Sequence, residues 1–190
     1  MSDPVYCYPP DHSVLKNKMN IRDAKSLERV ERMFVAERAA QGAPDGIFDL
    51  VHLKAIHRHL FQDIYDWAGE IRTIEISKGG SQFQFRRYIA TGMADVHRRI
   101  LGQNYLKDLS PGSFAEAVGA IIGDVNYVHP FREGNGRAQA LYLEQLAANA
   151  GQPLDLKAID KPQWIAASKA AHFGDYAPMG ACICGALIEP

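Results

Sequence analysis

Apolar residues recur along the chain at helical spacing, in stretches separated by short polar breaks containing Gly or Pro. Leu27, Val30 and Phe34 share one stripe and predict a first helix, which Gln41-Gly42-Ala43-Pro44-Asp45-Gly46 interrupts. Asp49 is placed to cap a second helix whose apolar side carries Leu50, Leu53, Ile56 and Leu60. A third helix is expected from about Tyr88 to Tyr105. Ser113 and Glu116 then form a capping-box pattern ahead of Phe114, Val118, Ile121, Ile122 and Val125. That helix is the most apolar and is expected at the centre of the core. Pro130 stops it and leaves His129 at its C-terminal end. Ala138 to about Ala148 predicts the next helix, with Leu141, Leu143, Leu146 and Ala147 on its apolar side, ended by Gly151 and Pro153. One or two further helices cover roughly 161–188.

Only one stretch alternates with period two. Arg72-Thr73-Ile74-Glu75-Ile76-Ser77 and Gln82-Phe83-Gln84-Phe85 flank Lys78-Gly79-Gly80-Ser81, which predicts a hairpin over residues 71–86. A lone hairpin is marginal in water, so it is expected to lie on the helical body with one edge free. Residues 1–20, rich in Tyr, Pro and polar groups, predict an extended arm. The fold class is all-α, a helical bundle with one β-hairpin. No internal repeat or linker divides the sequence, so residues 1–190 are expected to form a single domain.

Composition narrows the function classes. With 47% hydrophobic and 23% charged residues the chain reads as globular, and a net charge of −1 gives no global attraction to nucleic acid or anionic membrane. No apolar run is long enough to span a bilayer, and the first residues do not read as a secretion signal. Three cysteines, an odd count, argue against a disulfide framework and for a reducing cytoplasm.

The chemistry concentrates in residues 129–137, His-Pro-Phe-Arg-Glu-Gly-Asn-Gly-Arg. Gly134-Asn135-Gly136 before a helix is a device for exposing unpaired N–H groups to an anion such as phosphate. Asn135 tolerates unusual backbone angles and adds a side-chain donor. Arg137 can grip phosphate oxygens in a forked geometry. Glu133 beside a diphosphate suits Mg²⁺, which needs few protein ligands. His129 can accept a proton from a hydroxyl near neutral pH. Phe131 is expected to turn into the core and fix the loop. Taken singly, each feature is more often a turn, a cap or a surface residue. In one run they point to nucleotidyl or phosphoryl transfer to a hydroxyl.

The run matches every fixed position of H-x-F-x-(D/E)-G-N-G-R, and the chain closely resembles the Fic family on this motif. Asp66-Trp67-Ala68-Gly69 followed by Arg72-Thr73-Ile74-Glu75-Ile76-Ser77-Lys78-Gly79 resembles the segment leading into that family's flap hairpin. Tyr8-Pro9 with Leu15-Lys16-Asn17-Lys18 resembles the start of its short bacterial toxin-type members. The resemblance implies a Fic fold and transfer of AMP from ATP, with Mg²⁺, to a hydroxyl of a protein substrate. It implies His129 as the base and Glu133 as the metal ligand. Gly134, Asn135 and Gly136 would form the anion hole, and Arg137 would bind the phosphates. Lys78 would border the nucleotide, and Glu75, Ile76 and Ser77 would dock the target by strand addition. For this branch it implies a type II topoisomerase subunit as target.

Two departures from the family pattern stand out. Its second arginine, three residues past the first, is Ala140 here, which removes a usual γ-phosphate ligand. Its inhibitory motif, (S/T)-x-x-x-E-(G/N), has no match, which implies a separate small antitoxin protein as partner. The alternatives are the same fold with another donor (another nucleotide, CDP-choline or a phosphorylating mode) and a non-catalytic docking module. His52, His57 and His59 share the second helix, and Cys182 and Cys184 form a C-x-C pair; both sets read as packing or surface residues rather than metal ligands.

Overall fold

The computed structural model describes residues 3–188. Its elements are α1 (Ala24–Ala40), α2 (Leu50–Phe61), β1 (Ser77–Lys78), β2 (Ser81–Gln82), α3 (Ile89–Gly102), α4 (Pro111–Val128), α5 (Asn135–Asn149), α6 (Lys161–His172) and α7 (Ala177–Cys184), with short 3₁₀ turns between some of them. α4 runs through the middle of the molecule and packs against α3, α5, α6 and α7, while α1 and α2 close the side behind α5. Phe114, Val118, Ile121, Ile122, Val125 and Val128 of α4 are all buried, so its apolar character marks a helix enclosed on several faces. Among the described residues no helix is long and apolar enough to cross a membrane.

Helix starts follow local chemistry. Asp49 caps α2 by accepting the His52 N–H at 2.8 Å, as its position predicts. α4 begins earlier than the Ser113–Glu116 pattern predicts. Its cap is Ser110, whose hydroxyl accepts the Ser113 N–H, and Pro111 fills the first turn where an N–H has no helical partner.

The hairpin is present but much shorter than its alternation predicts. Only Ser77↔Gln82 and Lys78↔Ser81 pair as a ladder, around Gly79-Gly80. The Ile76 carbonyl still accepts the Phe83 N–H, and the residues before it, from Arg72 on, are held mainly by bonds to side chains and to a helix end. The N-terminal segment is also corrected: it is folded onto the body rather than extended. Cys7 bridges Leu15, and the Tyr8 hydroxyl donates to the Asn17 carbonyl at 3.1 Å. The Tyr6 hydroxyl accepts the Thr73 N–H at 3.0 Å, which pins the segment to the root of the hairpin.

Candidate active site

The end of α4 sets the site. His129 caps the helix in the left-handed region, with φ 46° and ψ 63°. In a continuing helix the Asn126 carbonyl would accept from residue 130, but that residue is Pro130 and has no N–H. The freed carbonyl takes His129 Nδ1 at 3.0 Å. A carbonyl only accepts, so Nδ1 carries the proton and Nε2 keeps its lone pair. Nε2 has no hydrogen bond among the described residues. Burial, with help from the Arg72 and Lys78 charges, pushes the His129 pKa down to about 4, so the ring is a neutral base at physiological pH.

The remaining carbonyls at this helix end are also accounted for. Tyr127 O accepts the Gln84 N–H at 3.0 Å. His129 O accepts from Arg72 Nε at 2.9 Å, and Pro130 O accepts the Arg72 N–H at 2.9 Å. The Arg72 side chain is fully buried and also donates to Ile74 O, Gln84 O and the Glu75 carboxylate. One guanidinium thus ties the helix end that carries His129 to both sides of the hairpin root.

Downstream of His129, Phe131 is buried, as expected. Asn135 caps the loop onto it, Oδ1 accepting the Phe131 N–H at 2.9 Å and Nδ2 donating to Phe131 O at 2.8 Å. The free side-chain donor expected at Asn135 is therefore spent inside the loop. Gly134 has φ +80°, and a Cβ there would meet the Phe61 ring at 2.4 Å, so the turn requires glycine. The first intrahelical bond of α5 is Ala138 N–H to Gly134 O. The amides of Asn135, Gly136 and Arg137 precede it and form the unpaired helix start.

Glu133 is half exposed. Its Oε1 accepts the Gly134 N–H at 2.9 Å, and its Oε2 accepts no hydrogen bond among the described residues. A free carboxylate oxygen beside an unpaired helix start is a donor arrangement that Mg²⁺, which takes few protein ligands, would fit. Among the described residues no cluster of His, Cys, Asp or Glu would hold a metal unaided.

His129, Arg132, Glu133, Asn135, Gly136 and Gln139 open onto one cavity of ≈ 1010 Å³. Glu75, Ile76, Ser77 and Lys78 of the hairpin also line it, as do Asp3 to Val5. Two predicted ligands sit differently. Gly134 lies behind the lining, with its N–H taken by Glu133. Arg137 also lies off the lining. It pairs with the Glu31 carboxylate of α1 at 2.6 Å, stands 4.7 Å over the Phe61 ring and is 3.6 Å from Glu133. The second Glu31 oxygen accepts from the Tyr65 hydroxyl. Glu75 has a more structural position than its docking role implies, since its carboxylate braces Arg72 and the Arg86 N–H.

Other contributors carried no motif. Phe83, just after β2, stacks on the His129 ring with centroids 3.7 Å apart. Its inward place in the Gln82-Phe83-Gln84-Phe85 alternation was the available signal. Trp164, Ile165, Ser168, Lys169, His172 and Phe173 make a cavity wall from α6 and the residue after it. Arg132 is held by Asp3 at 2.5 Å, joining the N-terminal segment to the loop. His52, His57 and His59 are not a metal set: they bond to Pro44 O, Glu133 O and Arg38 O respectively.

A neutral histidine at a helix end, facing a second helix's open start beneath a hairpin, is the layout of a group-transfer site on a helical bundle. Comparison with known proteins gives it a family. The Fic/DOC family model matches residues 47–147. The probable protein adenylyltransferase y4lH of Sinorhizobium fredii is 36% identical over 95% of this chain and 94% of its own length. Protein adenylyltransferase VbhT of Bartonella schoenbuchensis is 34% identical over 95% of this chain, which spans only 38% of that longer protein. The structure of the Bartonella tribocorum BepC protein with bound AMPPNP superposes with TM-score 0.87 at 26% identity, covering 97% of each chain. The chain belongs to the Fic/DOC family.

Proposed function

We propose that the protein is an adenylyltransferase that moves AMP from Mg-ATP to a hydroxyl of a protein substrate. The observation that carries this reading is the convergence of His129, Glu133 and Gly136 on one cavity. The names of the relatives and the AMPPNP held by BepC support the donor class.

In this reading the acceptor hydroxyl meets His129 Nε2, which takes its proton as the oxygen attacks the α-phosphorus. The bond from that phosphorus to the β-phosphate bridging oxygen breaks, and pyrophosphate leaves. The amides at the start of α5 hold the phosphate oxygens, and their fixed dipoles favour the developing charge. Glu133 would hold Mg²⁺, which supplies charge neutralisation on the phosphates. Lys78 adds a cation from the hairpin, and the outer edge of β1 aligns the acceptor segment by strand addition.

The described residues act in this reading as one catalytic unit working in the cytoplasm as a toxin-type enzyme. A separate antitoxin restrains it, and a type II topoisomerase subunit is the target to try first. The test is transfer of label from α-labelled ATP, and from a panel of other donors including CDP-choline and γ-labelled ATP, into lysate proteins. His129→Ala should lower the rate by about 10²–10⁴-fold with nucleotide binding retained. Near-normal transfer by that variant, or label arriving only from another donor, would overturn the reading.

A further inference from the structure

His57 lies beneath the catalytic loop rather than in it. The α2 side chain is buried, with its ring stacked on Phe131 at 3.9 Å between centroids and on Phe61 at 4.6 Å. Nδ1 accepts the Gly69 N–H at 2.9 Å, and Nε2 lies 2.9 Å from the Glu133 carbonyl. Because Nδ1 accepts, Nε2 must carry the proton and donate. Gly69 has φ +81°, and a Cβ there would come within 2.8 Å of Arg58 Cβ, so the turn that supplies the N–H is pressed onto α2 itself.

We propose that His57 is a positioning residue that fixes the peptide between Glu133 and Gly134 and thereby aims the Glu133 carboxylate. A trans peptide is planar, with its C=O and N–H pointing to opposite sides. The carbonyl of this peptide is held by His57 on the core side. Its N–H, on the other side, is held by Glu133 Oε1 at 2.9 Å. The two grips act on one rigid plate. Without the His57 donor the plate is free to turn, since Gly134 offers little resistance to rotation. The carboxylate then loses the amide that orients it toward the cavity. Supporting partners behind a metal ligand commonly matter about 10–100-fold in metal affinity or activity.

The metal-dependent part rests on the reading of Glu133 as the Mg²⁺ ligand; the geometric part does not. Nitrogen NMR of the unliganded wild-type protein should show His57 neutral, protonated on Nε2 and bare on Nδ1 near neutral pH. A ring protonated on Nδ1 would overturn the proposal outright. His57→Phe keeps the stacking and removes both hydrogen bonds, whereas His57→Gln keeps an amide able to accept and donate. The Phe variant should shift the Gly134 amide resonance without nucleotide, raise the Mg²⁺ needed for half-maximal transfer and lose about 10–100-fold in rate. Its affinity for the nucleotide without metal should stay unchanged, and the Gln variant should recover part of the loss. A folded Phe variant with an unmoved Gly134 amide and wild-type Mg²⁺ dependence would also refute it. Should the Phe variant not fold, the wild-type tautomer decides. Should the protein transfer nothing from ATP, the two NMR readouts still decide this inference while the proposed function fails.

Discussion

Phe83 and His129 lie face to face, their ring planes 16° apart. The hairpin therefore covers the proposed base as well as offering an edge to a partner chain. Burial is the main cause of the lowered His129 pKa, and the stacked Phe83 ring covers one face of the imidazole. Phe83→Ala should admit water to the imidazole, move its pKa up toward the ordinary histidine value and shift the acid limb of activity to higher pH. A pH–rate profile of the variant checks this; an acid limb unchanged from wild type would show that other groups bury the ring.

The wild-type profile has a predicted sign. His129 must be neutral to accept a proton, and its folded pKa is about 4. Activity per folded molecule should hold as pH falls through 6.5 and decline only toward 4. Stability changes earlier. An unfolded chain binds a proton at each histidine near pH 6.5, while His129 and His57 in the fold resist it, both with pKa about 4. Their contribution is complete above about pH 6.5 and drains away between there and pH 4. Denaturant melts across that range, run beside the rate profile, separate the two effects.

Strand addition is best tested at Ser77. The Ile76 carbonyl accepts the Phe83 N–H at 3.2 Å, so residue 76 faces the partner strand. Successive residues of a strand face opposite ways, which turns Ser77 to the free edge. Ser77→Pro should remove an outward donor while sparing the ladder. Modification of the protein target should fall more than any self-modification. Equal loss of both would assign the edge to the fold or the nucleotide.

Ala140 lies one helical turn beyond Gly136, a cavity-lining residue, and so on nearly the same face of α5. Ala140→Arg should bring a guanidinium toward the distal phosphate. A charged hydrogen bond of this kind is worth about 1.5–3 kcal/mol, roughly tenfold or more in ATP affinity. Calorimetry checks the affinity, and labelled-donor assays show whether transfer follows it. Unchanged affinity would mean that this face does not meet the terminal phosphate.

Much of the architecture was legible because helical spacing and caps are local. Asp49 announces α2, and Pro130 ends α4 where its ring removes an N–H. The loop of residues 129–137 was legible because it is contiguous. Side chains whose partners are distant in sequence were not. Arg72 falls on the same face of the alternation as Ile74 and Ile76, but nothing local shows that its guanidinium is buried and bonded to a helix end distant in sequence. Glu31 carries no sequence signal of its own, yet it is buried against Arg137 and Tyr65, whose positions only the fold brings to it. Asn135 was legible as part of the turn, but only the fold reveals that its amide is consumed by Phe131. The α6 wall follows no motif, since it is defined by what stands opposite.

The buried Arg72 guanidinium divides the hairpin into parts of unequal stiffness. Its root is bonded to a helix end in the core, and the exposed tip at Gly79-Gly80 is held by a two-residue ladder. Backbone amides of the tip should exchange with solvent at rates close to those of a free loop, while those of Arg72 and Gln84 exchange only when the bundle itself opens. A partner chain would therefore meet a compliant edge on an unyielding stem, able to adjust to differing acceptor segments without disturbing the alignment of His129.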